Sequence, residues 1–218
     1  MYSVPPKRQR GERAGLTREQ VLDAALDLVD EAGLPSLTMR ALGARLGVEA
    51  MTLYHYVPNK DALIDGMVER VFTAASPPAS PRGDWRTYLR TYAHDLRRVL
   101  LLHPGVLPAV VRPAVTPATL DSVETGLRML RWAGFPLGMA VDALNSLTLF
   151  VLGHTGAEVG ISSASGAGSP DWLAGLDESR YPLLLESVRT AAGTDDAARF
   201  TFAVESLLAG FAAQLAAA

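Results

Sequence analysis

The sequence predicts an all-α protein: an N-terminal three-helix domain with a helix-turn-helix, followed by a larger helical domain. Three observations lead to this prediction. Apolar residues recur every three to four positions along most of the 218-residue chain, the spacing with which a helix buries one face. Capping residues precede these runs, and Gly or Pro ends them. No stretch alternates apolar and polar residues for long enough to predict a strand.

The N-terminal elements can be assigned from their caps. Residues 1–15 contain Pro5-Pro6 and many charges, which predicts a flexible basic arm that either follows DNA or only keeps the chain soluble. The TREQ sequence at 17–20 is a capping box, and the helix that it opens is expected to end at Gly33. Further along, Asn59 is expected to cap a helix that runs to about Ala75.

Between these two helices lies the segment 37–62, LTMRALGARLGVEAMTLYHYVPNKDA. Thr38 can cap a short helix that buries Leu42 and Leu46, and Gly47 suits its end. A second helix is predicted at 50–56, because Pro58 cannot continue it. This pattern is typical of a helix-turn-helix, whose second helix enters the major groove of DNA. A plain helical hairpin with ordinary surface residues is the alternative interpretation.

The residues expected to contact DNA lie on and around the second helix. Leu53 is predicted to face the core, which leaves its neighbours available to phosphates and base edges. Lys60 begins the next helix, where its charge and the helix N-terminus can share a phosphate. The candidates are Thr38, Arg40, Ala50, Met51, Thr52, Tyr54, His55, Tyr56 and Lys60.

Residues 16–71 resemble, without gaps, the N-terminal DNA-binding domain of the tetracycline-repressor (TetR) family of transcription regulators. The most specific part is TLYHYVPNKDAL at 52–63. The resemblance implies a ligand-responsive regulator, expected to be a repressor. Such a protein would bind a palindromic DNA operator as a homodimer and be released by a small-molecule effector.

Composition narrows the alternatives. The absence of cysteine excludes disulfides and thiolate metal sites and is compatible with a cytoplasmic protein. No apolar run precedes residue 16, and the longer apolar stretches are interrupted, so neither a signal peptide nor a membrane span is expected. The net charge of −3 is unusual for a DNA-binding protein, but basic residues concentrate near the start. They are Lys7, Arg8, Arg10, Arg13 and Arg18, with Arg40, Arg45 and Lys60 in the helix-turn-helix.

The Pro- and Ser-rich residues 76–81 predict the boundary between a DNA-binding domain at 16–75 and an effector-binding and dimerisation domain at 82–218. Beyond it, Asp84 is expected to cap a helix to Leu102, and Thr116-Pro117 to open one that stops at Gly134. The remaining predictions are a short apolar helix or turn at 106–112, a long helix at 136–159, a mobile loop at 161–170, and helices at 181–191 and 198–217, the last one capped by Thr194 or Asp195.

The helices at 136–159 and 198–217 are apolar around more of their circumference than one core face requires. We therefore expect these last two long helices to form the homodimer interface, which the family resemblance favours. A single large core within one subunit is the alternative.

The helices between 85 and 134 are expected to enclose a pocket for a small, mostly apolar effector. Candidates for binding it are Tyr88, Tyr92, His103, Arg112, Met129, Trp132, Phe135, Asn145, Leu149 and His154. Asn145 is the most unusual polar residue among them, because it lies mid-way along an apolar helix. Its alternative role is a hydrogen bond across the dimer.

Residues 111–153 also resemble the C-terminal domain of the tetracycline-responsive branch of the family. The metal-binding positions of that branch fall near Ala109 and Ala157, which argues against a tetracycline–magnesium effector. His154 and Glu158, one helical turn apart, are too few for a metal site, so no metal or cofactor is expected. No catalytic constellation is evident, and the protein is not expected to be an enzyme. A carrier or enzyme for an apolar molecule and an architectural DNA binder remain the rival hypotheses.

Overall fold

The computed structural model describes residues 15–110, 115–164, 175–190 and 195–218, with the side chains of 161–164 excepted. This part of the chain is helical and contains no strand, so the all-α prediction is confirmed. Its helices are α1 Arg18–Ala32, α2 Met39–Leu46, α3 Ala50–Leu53, α4 Lys60–Ala75, α5 Trp85–Leu102, α6 Leu107–Val110, α7 Pro117–Trp132, α8 Leu137–Ala164, α9 Pro182–Arg189 and α10 Asp196–Ala217.

Helices α1 to α4 form the N-terminal bundle, whose ends follow the predicted caps. The Thr17 hydroxyl accepts from the Gln20 N–H, and the Gln20 side chain accepts from the Thr17 N–H, which completes the capping box. Asn59 likewise accepts from the Ala62 N–H at the start of α4. Helix α1 packs against α2 and α4 and buries Val21 and Ala25 on the face that the spacing predicts.

Helix α4 is shared between the two halves of the molecule, because it also packs against α5 and α7. Asp84 caps α5 as predicted, and α5 lies against α8 in the centre of the second bundle. Trp85 meets Phe135 edge to face with ring centroids 4.9 Å apart, which fixes the start of α5 against the turn after α7. Helix α10 completes the bundle by packing on α5 and α8.

Several predicted element boundaries were wrong. Helix α3 ends at Leu53 and not at Tyr56, because the N–H groups of Tyr56 and Val57 both bond to the Leu53 carbonyl in a tight turn. The short apolar helix or turn predicted from residue 106 begins earlier, as a 3₁₀ turn at Pro104–Val106, and continues as α6 over Leu107–Val110. Helix α8 continues to Ala164 and so includes the start of the loop predicted at 161–170.

Of the remaining predictions, one concerns the start of α10 and the others fall on residues outside the described ranges. Asp195 caps α10 by accepting from the N–H groups of Ala197 and Ala198. The basic arm at 1–14, Arg112, residues 165–170 and Thr194 lie outside the described residues.

The two long helices leave much apolar surface uncovered. Among the described residues, Leu137–Gly160 and Asp196–Ala217 are long and apolar enough to cross a membrane by length and composition alone. Only 28% and 17% of their most apolar 18-residue stretches are buried within the chain. Leu149 on α8 and Phe202 on α10 are 68% and 75% exposed, so the chain presents a broad apolar surface there.

Candidate nucleic-acid interface and ligand cavity

The turn between α2 and α3 depends on two glycines. Gly47 ends α2 in the left-handed conformation, at φ 68° and ψ 30°, which glycine adopts without steric cost. Gly43 lies inside α2, where the chain returns so closely that a Cβ atom would stand 2.8 Å from the Val48 carbonyl oxygen. Sequence analysis predicted Gly47 but missed Gly43, because the close approach is evident only from the folded backbone.

The structure brings six of the nine DNA-binding candidates together on α3 and the turn after it. Met51 is 71% exposed and Tyr54 43%, and His55 is also exposed. Ala50, Thr52 and Tyr56 are half-buried, while Leu53 is completely buried as predicted. Thr38 and Arg40 are exposed at the start of α2, where the Thr38 hydroxyl caps the helix by accepting from the Ala41 N–H at 3.0 Å. Lys60 is exposed at the start of α4.

Arginine pairing reduces the predicted positive patch. The Arg45 guanidinium donates to both carboxylate oxygens of Glu31, at 2.7 and 2.8 Å, and lies 3.7 Å from Asp27. This hydrogen bonding raises the pKa of Arg45 and lowers that of Glu31. Arg45 therefore ties α2 to α1 and is not a free phosphate ligand, so the helix-turn-helix has fewer free positive charges than its sequence suggests. Arg40 and Lys60 have no acidic partner within the described ranges.

A cavity of about 660 Å³ lies between α4, α5, α7 and α8. Its size falls in the usual range for sites that bind small molecules. The predicted candidates Tyr88, Tyr92, Asn145 and Leu149 all line it. The other described lining residues are Phe72 and Ser76 at the end of α4, Val110 on α6, Thr119, Ser122 and Val123 on α7, and Leu144, Thr148, Leu152 and Gly153 on α8.

Hydroxyl groups supply most of the polarity of this cavity. The Thr148 hydroxyl donates to its own helix at the Leu144 carbonyl, 2.8 Å away, so Tyr92 is the donor in their 2.9 Å contact. Burial raises the pKa of Tyr92 to about 12 and also raises that of Tyr88. Both phenols therefore remain protonated at neutral pH. No charged side chain occurs among the described lining residues.

Five of the predicted ligand-binding residues do not line the cavity. Met129 and Phe135 are buried in the core, and Trp132 is 44% exposed at the end of α7. His154 is absent from the described lining residues, although its neighbour Gly153 is one of them. It lies instead beside the rings of Phe150 and Phe200. The fifth residue, His103, lies at the contact with α1.

His103 and Gly105 attach the second bundle to α1. The Asp30 carboxylate accepts from the Gly105 N–H at 2.9 Å and lies 2.7 Å from His103 Nδ1. Gly105 packs so closely on α1 that a Cβ atom would stand 2.3 Å from the Val29 carbonyl oxygen. We call Asp30, His103 and Gly105 the junction clamp. Sequence analysis missed this clamp because Asp30 lies more than 70 positions before His103 and Gly105 along the chain.

Glu158 and His154 on α8 lie close to each other, and Glu158 is paired with an arginine. Arg97 donates to both carboxylate oxygens of Glu158, at 2.7 and 3.0 Å, while His154 Nε2 lies 4.0 Å from the same carboxylate. The described residues include no group of three or more His, Asp or Glu side chains placed to hold a metal.

Two parts of the chain each match a known protein family. Residues 21–67 match the family described as bacterial regulatory proteins, tetR family. Residues 77–215 match the family described as tetracyclin repressor-like, C-terminal domain.

Individual relatives span almost the whole chain. The class D tetracycline repressor protein of Escherichia coli is 34% identical and covers 94% of this chain and 93% of the relative. A possible TetR family transcriptional regulator of Streptomyces coelicolor A3(2) has a similar crystal structure, with a TM-score of 0.73, 33% identity and coverage of 90% and 98% of the two chains. The TetR family protein ActR of Streptomyces coelicolor, in complex with actinorhodin, matches with a TM-score of 0.74, 25% identity and coverage of 92% and 98%.

Proposed function

Because the chain belongs to the TetR family of bacterial transcriptional regulators, we propose that it represses transcription as a homodimer on a palindromic operator. A small, mostly apolar effector that enters the cavity releases the protein from the operator. The observation that carries this proposal is the position of α4. Phe72 and Ser76, at the end of this helix, line the cavity, and Lys60 begins it directly after the α3 turn. A helix of 16 residues transmits a displacement over about 24 Å.

In this proposal residues 16–75 are the DNA-binding domain. Arg40 and Lys60 contact phosphates, for which their exposure and their lack of acidic partners among the described residues suit them. The most exposed side chains around α3, Met51, Tyr54 and His55, reach base edges in the major groove. Thr38, Ala50, Thr52 and Tyr56 complete the contact surface.

Residues 82–218 are proposed to bind the effector and to form the dimer. The exposed apolar faces of α8 and α10 support a four-helix interface between two subunits. Gly153 and Gly210 are exposed on these faces and have no atom within 4 Å of the position of a Cβ, so a partner helix can approach closely. Two-fold symmetry would place the two α3 helices about 34–36 Å apart, one turn of DNA.

The effector acts by changing that distance. A ligand that displaces Phe72 and Ser76 tilts α4 and moves α3 with it. Coupling of about 1–3 kcal/mol, which changes operator affinity about 5–150-fold, is typical of such systems. The relatives are named as regulators and not as enzymes, and we propose that this protein has no catalytic activity and acts in the cytoplasm.

The proposal is tested by selecting bound sequences from a random DNA duplex pool at several salt concentrations. We expect enrichment of an inverted repeat with half-sites one helical turn apart. Sequence-independent binding that disappears as salt rises would indicate an architectural DNA binder instead. Failure to retain any DNA at low salt would contradict both DNA hypotheses and favour a carrier or an enzyme.

A further inference from the structure

We propose that the effector is an uncharged aromatic molecule with a carbonyl oxygen that accepts a hydrogen bond from the Tyr88 hydroxyl. This inference rests on the proposed function, in which the cavity under α4 is the effector site. It specifies the chemistry of the ligand and names the residue that orients it.

The hydroxyl protons around the cavity are almost all committed to the protein. Ser76 donates to the Phe72 carbonyl, Ser122 to Ala118 and Thr148 to Leu144, while Tyr92 donates to Thr148. Thr119 donates to the Thr116 carbonyl. Within the described part of the chain, the Tyr88 hydroxyl has no such partner, although its side chain is only 7% exposed. Tyr88 lines the cavity, so this donor is available to a ligand oxygen, and the hydrogen bond between them would stabilise the complex.

The uncharged lining of the cavity favours a neutral oxygen on the ligand. A ligand carboxylate in this cavity would lose its hydration without meeting a cationic side chain among the described lining residues. Burial raises the pKa of the Tyr88 phenol, so the group stays protonated and donates. The lining also provides no carboxylate or imidazole for a chelated cation, unlike the sites that bind Mg²⁺ with carboxylates. A carbonyl oxygen meets these conditions.

The residues that line the cavity indicate that the ligand is aromatic. Tyr88 and Tyr92 are one turn apart on α5, so their rings lie on the same face of the helix, and Phe72 contributes a third ring from α4. Aromatic pairs are favoured over contacts of equal area with aliphatic groups. The volume of about 660 Å³ accommodates a molecule of several fused rings.

The test measures binding of three matched probes to the full-length protein by calorimetry. Xanthone carries the carbonyl, xanthene replaces it with a methylene, and xanthone-2-carboxylate adds a negative charge. We expect xanthone to bind about threefold to tenfold more tightly than xanthene, the usual range for one neutral hydrogen bond. The carboxylate should bind at least about tenfold more weakly than xanthone.

Two variants separate the role of Tyr88 from that of the cavity as a whole. Tyr88→Phe removes only the hydroxyl and should abolish the preference for xanthone over xanthene. Tyr92→Phe removes a hydroxyl that already donates to Thr148, and it should retain the preference. Thermal unfolding of both variants checks that the fold is intact.

The outcomes also distinguish this inference from the proposed function. Tighter binding of the carboxylate, an unchanged preference in Tyr88→Phe, or no binding of any probe up to its solubility limit would overturn the ligand chemistry. If xanthone-2-carboxylate releases the protein from operator DNA, and releases Tyr88→Phe equally well, the inferred ligand chemistry is overturned while the repressor function stands. If xanthone binds as expected but leaves the operator complex intact, the ligand chemistry stands and the proposed release mechanism fails.

Discussion

Gly43 shows how one atom can control the geometry of the helix-turn-helix. The position that its Cβ would occupy is 2.8 Å from the Val48 carbonyl oxygen and 3.1 Å from the Ala50 nitrogen. Both are backbone atoms, so relief requires the turn itself to move. The pattern of apolar residues around Gly43 does not reveal this constraint, because it describes which helix face is buried but not how closely the next segment passes.

We predict that Gly43→Ala destabilises the protein by about 1–3 kcal/mol, the usual cost of overpacking. The loss should appear as a lower midpoint of urea unfolding, and operator affinity should fall because α3 shifts. Gly138→Ala is the matched control: it lies near the start of α8 with no atom within 4 Å of its Cβ position, and it should leave the midpoint nearly unchanged. Equal midpoints for the two variants would contradict the close approach at Gly43.

The charges of the N-terminal bundle divide into paired and free groups, and this division predicts salt dependence. Arg40→Ala and Lys60→Ala should each weaken operator binding and reduce the slope of log affinity against log salt by about one unit, the effect of one phosphate contact. Arg45→Ala should leave the slope unchanged, because its guanidinium already donates to Glu31. Fluorescence anisotropy of a labelled operator at a series of salt concentrations measures all three. A reduced slope in Arg45→Ala would show that this arginine leaves its partner to bind DNA.

At the scale of elements, the sequence predicts helices well and their contacts poorly. The caps at Thr17, Asn59 and Asp84 are local, since the capping atoms lie within three residues of one another. The end of α3 depends on how the chain turns towards Pro58, and it was predicted three residues too late. The lining of the cavity depends on the rotation of each helix, so spacing along the chain alone could not separate Tyr88 and Tyr92, which line it, from His154, which does not.

The junction clamp gives the two bundles a second connection besides α4. It joins α1 to the turn that precedes α6, and Val110 of α6 lines the cavity. Asp30→Ala leaves the Gly105 N–H in this turn without its acceptor. We predict that this substitution destabilises the protein by about 1–3 kcal/mol and weakens effector-induced release of the operator. Asp30→Asn, which keeps an acceptor for the Gly105 N–H, should have the smaller effect on both measurements.

Asp95→Ala provides the control for the clamp. Its carboxylate accepts from Arg98 in a pair three residues apart on the surface of α5, and such pairs contribute little to stability. Thermal unfolding and operator release are measured on the same preparations. Wild-type effector release in Asp30→Ala would show that the clamp holds the bundles together without coupling them.

At the scale of the molecule, the proposed dimer would explain why α8 and α10 expose apolar faces that are unfavourable in water. The sequence predicted these faces because the helices are apolar nearly all round, and the structure leaves most of that surface uncovered in one protomer. The cavity shares this boundary: Asn145, Leu149 and Gly153 line it and are also exposed on α8. A second subunit would therefore close the cavity as well as position the two α3 helices.

We predict that Phe202→Glu on α10 dissociates the proposed dimer. Each dimer would bury the substituted residue twice, and a loss of about 2 kcal/mol at each, the size of an interface hot spot, would raise the dimer dissociation constant by several hundredfold. Operator affinity should fall with it, because a monomer reads only one half-site. Leu120→Glu is the matched control, an exposed apolar residue on α7 outside the proposed interface. Sedimentation at several protein concentrations measures the association, and an unchanged dimer in Phe202→Glu would place the interface on other helices.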